Sequence, residues 1–283
     1  APSWQERRRE EQHGTAAARA ELVFFQSLHG IALGAEMCAL AQCSAAQPWV
    51  LSLMLGAGLG FGLSFPLSAH TEITPGLARA LTDGVLWGAA NGLGLLIALD
   101  ATRGVRHEGV VVGSFLAIGQ LTGVGLASLL YSRLEPSAGQ VSLAASGTLW
   151  SLTISSHFLA MLQPKFDQQV WAGLLLATGN LGAVAGALFA SEIPMSASRV
   201  LLIDLGGVLG TLAGLGTAVL VQGDNPNPTP TFGFGLLGTL VGLALGYHLT
   251  SGWDRSDAGL AERTYVAVQP LPGGLLAQLG ARF

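Results

Sequence analysis

Charge is what this chain has least of. Only 11% of its 283 residues are Asp, Glu, Lys or Arg, against about 25% in ordinary soluble domains. A soluble fold of this size needs far more polar surface, so a water-borne globule is excluded. Lys165 is the one lysine among 13 basic residues. Net charge is −4 with no long basic run, which argues against nucleic acid as a partner. Cysteine is confined to Cys38 and Cys43. Read as two positions on one helix, they suit neither a disulfide framework nor a zinc site, and both are expected to be buried apolar fillers. Phosphate-loop and paired-histidine zinc motifs are missing, so no cofactor and no metal are expected. The letters Gly233-Phe-Gly235-Leu-Leu-Gly238 match a dinucleotide fingerprint. No strand precedes them, so they read as helix packing.

What is abundant is apolar sequence. Hydrophobic residues make up 50% of the chain, mean hydropathy is +0.52, and there are 40 glycines. Eight apolar segments cover 22–43, 48–68, 75–99, 110–131, 138–162, 168–190, 197–221 and 229–251. Crossing a hydrocarbon core of about 30 Å takes roughly 20 apolar residues of helix. A barrel would alternate strictly over strands of about ten residues and carry aromatic girdles. Aromatics are only 7% here, and Gly207, Gly210 and Gly214 recur at helical spacing. The expected fold is therefore an all-α membrane protein with eight transmembrane helices.

The segments alternate between two types. One carries His29-Gly30, Asp83-Gly84, Ser146-Gly147 and Gly206-Gly207, with Gly84-Val-Leu-Trp87 matching Gly147-Thr-Leu-Trp150. The other carries anchors Gly56, Gly119, Gly179 and Gly238, spaced 63, 60 and 59 residues apart. A fixed period marks a repeated supersecondary unit. The pattern predicts four αα-hairpin repeats, 22–68, 75–131, 138–190 and 197–251. A charged N-terminal arm over 1–21 and a polar tail over 252–283, strand-like at Thr264–Val268, complete the expected organisation. Thr74-Pro75 and Thr229-Pro230 read as N-caps followed by proline at the first helical position.

Small residues four apart let helix backbones approach closely in lipid, where little hydrophobic drive remains between helices. The helix-packing set is Gly56, Gly60, Gly119, Gly123, Gly182, Gly186, Gly207, Gly210, Gly214, Gly238, Gly242 and Gly246. Such glycine-zipper grooves serve packing within one bundle, and grooves left over serve copies of the chain or other membrane subunits.

Polar groups inside a span are costly and need a partner or water. His29, Glu36, Asp83, Asn91, Gln120, Asn180 and Asp204 form the candidate polar path. Pairs such as His29 with Glu36 and Asp83 with Asn91 fall on one helix face. The leading expectation is a non-enzymatic membrane scaffold or assembly subunit, bound to the lipid bilayer and to itself or other subunits. The second is a channel or transporter using that path. The third is an intramembrane hydrolase built on Ser155, Ser156 and His157 beside Asp204.

With eight spans both termini share one side. That side collects Arg7, Arg8, Arg9, Arg19, Arg79, Arg133, Arg199, Arg255, Arg263 and Arg282, against Arg103, Arg106 and Lys165 opposite. The positive-inside rule places the termini in the cytoplasm, which fits a bacterial inner membrane. A signal peptide cleaved before Ala1 and the terminal Phe283 would instead suit an outer membrane.

Overall fold

A computed structural model describes residues 13–163, 165–193, 195–223 and 227–254, and the backbone of 264–271 and 274–281. Most of the expected charged arm (1–12), the polar stretch 255–263, the terminal Phe283 and Arg7–Arg9, Arg255, Arg263 and Arg282 lie outside the described residues. Eight helices run in order: α1 Ala16–Leu40, α2 Ala46–His70, α3 Pro75–Ala98, α4 Glu108–Leu134, α5 Ala138–Leu162, α6 Gln168–Glu192, α7 Ala197–Gln222 and α8 Pro228–Leu249. Two antiparallel strands follow, β1 Thr264–Leu271 and β2 Gly274–Ala281, with Thr264 opposite Ala281.

Hydroxyl caps set the start of every odd-numbered helix. Thr15 accepts from the backbone of Ala18, Thr74 from Leu77, Ser137 from Gln140 and Ser196 from Arg199. Each satisfies an amide that the first turn leaves unpaired. Ser137 and Gln140 complete a capping box, with the Gln140 side chain accepting from the Ser137 backbone at 2.9 Å. Two boundaries differ from the sequence reading. Helix α1 starts at Ala16, so residues 16–21 of the supposed arm are helical. Helix α8 starts at Pro228 behind Asn227, whose side chain accepts from Thr229, rather than at Thr229-Pro230.

The end of α1 overturns the reading of the cysteines. Gln42 takes the left-handed conformation at φ 56°. The Gln42 amide then donates to Ala39 and the Cys43 amide to Cys38, at 3.1 and 3.0 Å. These two bonds are a Schellman motif. The helix therefore stops at Leu40 and the chain folds back, bringing the Cα atoms of Cys38 and Cys43 to 5.3 Å and joining them in a disulfide. They are not two fillers on one helix, because Cys43 is not on the helix. Helix α3 ends alike: Asp100 at φ 51° donates to Ile97, and Ala101 donates to Leu96.

Consecutive helices pair as four hairpins, α1–α2, α3–α4, α5–α6 and α7–α8. Hairpins pack on one another in sequence order through a recurring contact. Each odd helix meets the next odd helix and the even helix beyond it: α1 with α3 and α4, α3 with α5 and α6, α5 with α7 and α8. Among the described residues, no pair joining the first and fourth hairpins belongs to these packed pairs, so the hairpins form an open row.

Burial runs opposite to that of a soluble protein. The buried residues of α3 are Gly76, Ala78, Ala80, Thr82, Gly84, Gly88, Gly92 and Leu96, while large side chains such as Leu59, Leu63, Leu121 and Leu220 face outward. An apolar exterior around a core of small residues belongs in lipid. Among the described residues, seven helices are long and apolar enough to cross a membrane, which fits an integral membrane protein. The expectation of eight such spans falls short at α5, which does not reach that hydropathy. Ser142, Ser146, Ser151, Thr153, Ser155, Ser156 and His157 lower it. Helix α5 is also enclosed, packing on α3, α6, α7 and α8, and an enclosed helix needs fewer apolar groups than one facing lipid.

Candidate functional site

Inside the hairpins, backbone meets backbone. A Cβ on Gly30 would come within 2.1 Å of the Gly56 carbonyl oxygen, and one on Gly56 within 2.1 Å of that of Gly30. Gly88 and Gly119 oppose each other in the same way, as do Gly84 and Gly123, Gly147 and Gly182, Gly210 and Gly238, and Gly206 and Gly242. Gly60 abuts Gln26, Gly186 abuts Leu143, Gly214 abuts Phe234 and Gly246 abuts Ile203. A Cβ would clash at each of these positions except Gly246, where it would stand 3.0 Å from the Ile203 Cα and fit if that neighbour gave slightly. Gly207 lies off that row. A Cβ there would strike the Trp150 ring at 2.4 Å, so its space serves the contact between α5 and α7.

Between hairpins, polar side chains meet. At the first seam Gln120 of α4 donates from Nε2 to Glu36 of α1, and the two are 4% and 6% exposed. At the second, Asn180 of α6 donates to Asn91 of α3 at 2.8 Å. At the third, Asp204 of α7 accepts from Ser146 at 2.5 Å and from the Trp150 indole at 2.7 Å, both on α5. Each seam thus has its own polar latch within the spans. An added ion pair crosses the first seam near the helix starts, Arg79 to Glu21 at 3.1 Å.

The seven candidate path residues are therefore not brought together as one constellation. Glu36 and Gln120 meet, Asn91 and Asn180 meet, and Asp204 is occupied by two donors that the path did not include. His29 Nδ1 lies 3.2 Å from Gln26 of its own helix rather than on Glu36. Asp83 sits one turn from Arg79, with Oδ2 buried and unpartnered. Glu36 Oε2, Gln120 Oε1 and His29 Nε2 are also buried without a hydrogen bond. The hydrolase set is not assembled either. His157 Nδ1 lies 2.8 Å from the Thr153 carbonyl and its ring packs edge-on to Phe232, while Ser156 donates to Thr153.

Sequence reasoning missed Trp150 as a donor, Glu21 and Arg79 as a pair, and Thr211 with Thr239, whose hydroxyls lie 2.6 Å apart inside the fourth hairpin. A signal for the latches was present. The residue after each anchor glycine reads Ala57, Gln120, Asn180 and Thr239. Gln120 and Asn180 make the first two latches, whereas Thr239 bonds Thr211 within its own hairpin and the third latch falls on Asp204 instead. The last odd helix shows a loss: counted from the N-caps, Ser146 and Trp150 of α5 correspond to Leu205 and Leu209 of α7. Both leucines are exposed. At these two positions the polar latch groups of α5 give way to leucine in α7.

An open groove of about 690 Å³ runs between α7 and α8, floored by Gly206, Gly210, Gly238 and Gly242. No titratable side chain lines it. Among the described residues, no three His, Cys, Asp or Glu side chains cluster as a metal site would require. Comparison with family models, with curated proteins and with solved structures gives no match.

Proposed function

We propose that this protein is a non-enzymatic membrane scaffold or assembly subunit, built from four repeated hairpins that glycine zippers close and polar latches join. The observation that carries the reading is the use made of the intramembrane polar groups: Glu36, Gln120, Asn91, Asn180 and Asp204 each bond across a seam. In spans, such bonds contribute about 0.6 kcal/mol each and fix which helices are neighbours. A row of this kind resembles a solenoid, in which each unit contacts only the next. Solenoids in water end in polar caps; this one, in lipid, ends in leucine.

Glycines unused by the row support the assembly role. Gly58 and Gly62 of α2 and Gly125 of α4 have open space where a Cβ would stand, unlike the zipper glycines. These bare stretches of backbone face outward, where copies of the chain or other subunits pack. Mass measurement in mild detergent and in lipid discs tests this. A particle of two or more chains, or one carrying further subunits, is the expected result, and a strictly monomeric, partnerless particle contradicts it.

One observation favours a second reading, a channel or transporter. Glu36 Oε2 and His29 Nε2 are buried on α1 without hydrogen bonds, and an unsatisfied group in a span needs water or a partner. Flux through liposomes separates the two readings. The scaffold predicts no flux above empty vesicles, whereas flux abolished by Glu36→Gln establishes the path.

A further inference from the structure

The Cys38–Cys43 disulfide has a sidedness. Cys43 lies in the turn 41–45 that joins α1 to α2, and Cys38 is 1% exposed on the last turn of α1. That turn sits at the same end of the row as the C-terminal ends of α3, α5 and α7, because the odd helices run parallel: near their starts Thr15 donates to Ile73, and a Cβ on Gly76 or Gly139 would meet the carbonyl of Pro136 or Met195. The hydroxyl caps Thr15, Thr74, Ser137 and Ser196 mark the opposite end.

Disulfides form and persist in oxidising compartments and are rare where glutathione and thioredoxin hold thiols reduced. The basic residues divide independently of the cysteines. Arg19, Arg79, Arg133 and Arg199 lie toward the cap end, and Arg103, Arg106 and Lys165 lie on the hairpin turns. In sequence, Arg7, Arg8 and Arg9 precede α1, and Arg255, Arg263 and Arg282 follow α8. Short cytoplasmic segments of membrane proteins are enriched in Lys and Arg. Both observations give the same orientation, though one is covalent chemistry and the other is charge.

We propose that Cys38–Cys43 is an oxidative modification site, made by a protein disulfide donor on the non-cytoplasmic face, and that the four hairpin turns share that face while the capped helix starts face the cytoplasm. The exchange balances. One thiolate attacks the donor's disulfide to give a mixed disulfide, the second then attacks the sulfur of the first, and the donor leaves as a dithiol carrying the two electrons and both protons. The Schellman turn at Gln42 folds Cys43 back beside Cys38, and the Cα atoms of the bonded pair lie 5.3 Å apart. This inference rests on the membrane reading alone and survives whether or not the protein is a scaffold.

The test uses the full chain in cells with an accessible inner membrane. In a Cys38→Ser, Cys43→Ser background, single cysteines are placed at exposed positions, Lys165→Cys and Arg106→Cys on the turns, Glu72→Cys and Ser132→Cys at the cap end. A membrane-impermeant maleimide should label the first two in intact spheroplasts and the last two only after permeabilisation. In the parent protein, trapped by alkylation before lysis, neither native cysteine should take up label until a reductant is added. Labelling of Glu72→Cys and Ser132→Cys from outside, or two free thiols in the parent, overturns the proposal. Two positions at each end guard against a variant that fails to insert.

Discussion

The inside of a hairpin and the seam between hairpins solve one problem in two ways. Lipid offers helices no hydrophobic reason to associate. Within a hairpin, side chains are removed, so that Gly210 and Gly238 bring carbonyl oxygens where a Cβ would otherwise be. Close backbones then gain dispersion and weak Cα–H···O contacts. At a seam, side chains are kept and made polar, as with Asn91 and Asn180. The first device closes helices that a short turn already holds together. The second selects a neighbour from helices far away in sequence. Packing by glycine is strong but indifferent to partner, since any smooth groove fits another; a matched donor and acceptor is weaker but specific.

The largest expected effect breaks the first device. Gly210→Leu forces a side chain into the Gly238 carbonyl, and overpacking of this kind costs about 3 kcal/mol or more. Loss of folded protein on heating in detergent measures it. Gly58→Leu, at a position with open space, leaves the monomer's thermal midpoint unchanged, which sharpens the contrast between packed and outward glycines.

Next comes the third seam. Asp204→Ala strands the Trp150 indole and the Ser146 hydroxyl, and each unsatisfied donor costs about 1–3 kcal/mol. Tryptophan fluorescence of α5 and the thermal midpoint both report it. Asn180→Ala at the second seam costs less, about 0.6 kcal/mol and at most about 1.7. Removing the Cys38–Cys43 bond with Cys38→Ser removes a short covalent loop, worth about 2 kcal/mol on the chain-entropy account, and should fray the end of α1 in hydrogen exchange while leaving the seams protected. The smallest effect lies at the end of the row. Leu209→Ala, exposed where Trp150 is buried in its neighbour, shifts the midpoint by less than about 0.5 kcal/mol.

How legible these two devices were in the sequence follows from their range. Hairpin contacts are local, so the four-residue spacing of Gly119 with Gly123 and of Gly238 with Gly242 marks a packing stripe on each helix, although their partners Gly84, Gly88 and Gly206 were not in the packing set. Latches are not local. Glu36 and Gln120 lie 84 residues apart, and pairing them requires the order of the hairpins and the tilt of each helix. Spacing on one helix suggested His29 as Glu36's companion because sequence exposes only neighbours on the same helix. Gly206 and Gly207 differ by about 100° of rotation about the helix axis. Sequence alone cannot decide which of them faces α8 and which makes room for Trp150. The disulfide was hidden by a non-glycine residue, Gln42, in a conformation that glycine usually takes. With no glycine to mark the helix end, the apolar segment appeared to run on through Cys43.

The claim at the centre is that carboxylates and amides in these spans hold hairpins to one another. A double-mutant cycle on Glu36→Ala and Gln120→Ala, read as thermal stability in one detergent, tests it most directly. The latch predicts a coupling of at least about 0.6 kcal/mol, each single change costing more alone than beside the other. Strictly additive effects would mean that the two residues do not hold the first seam.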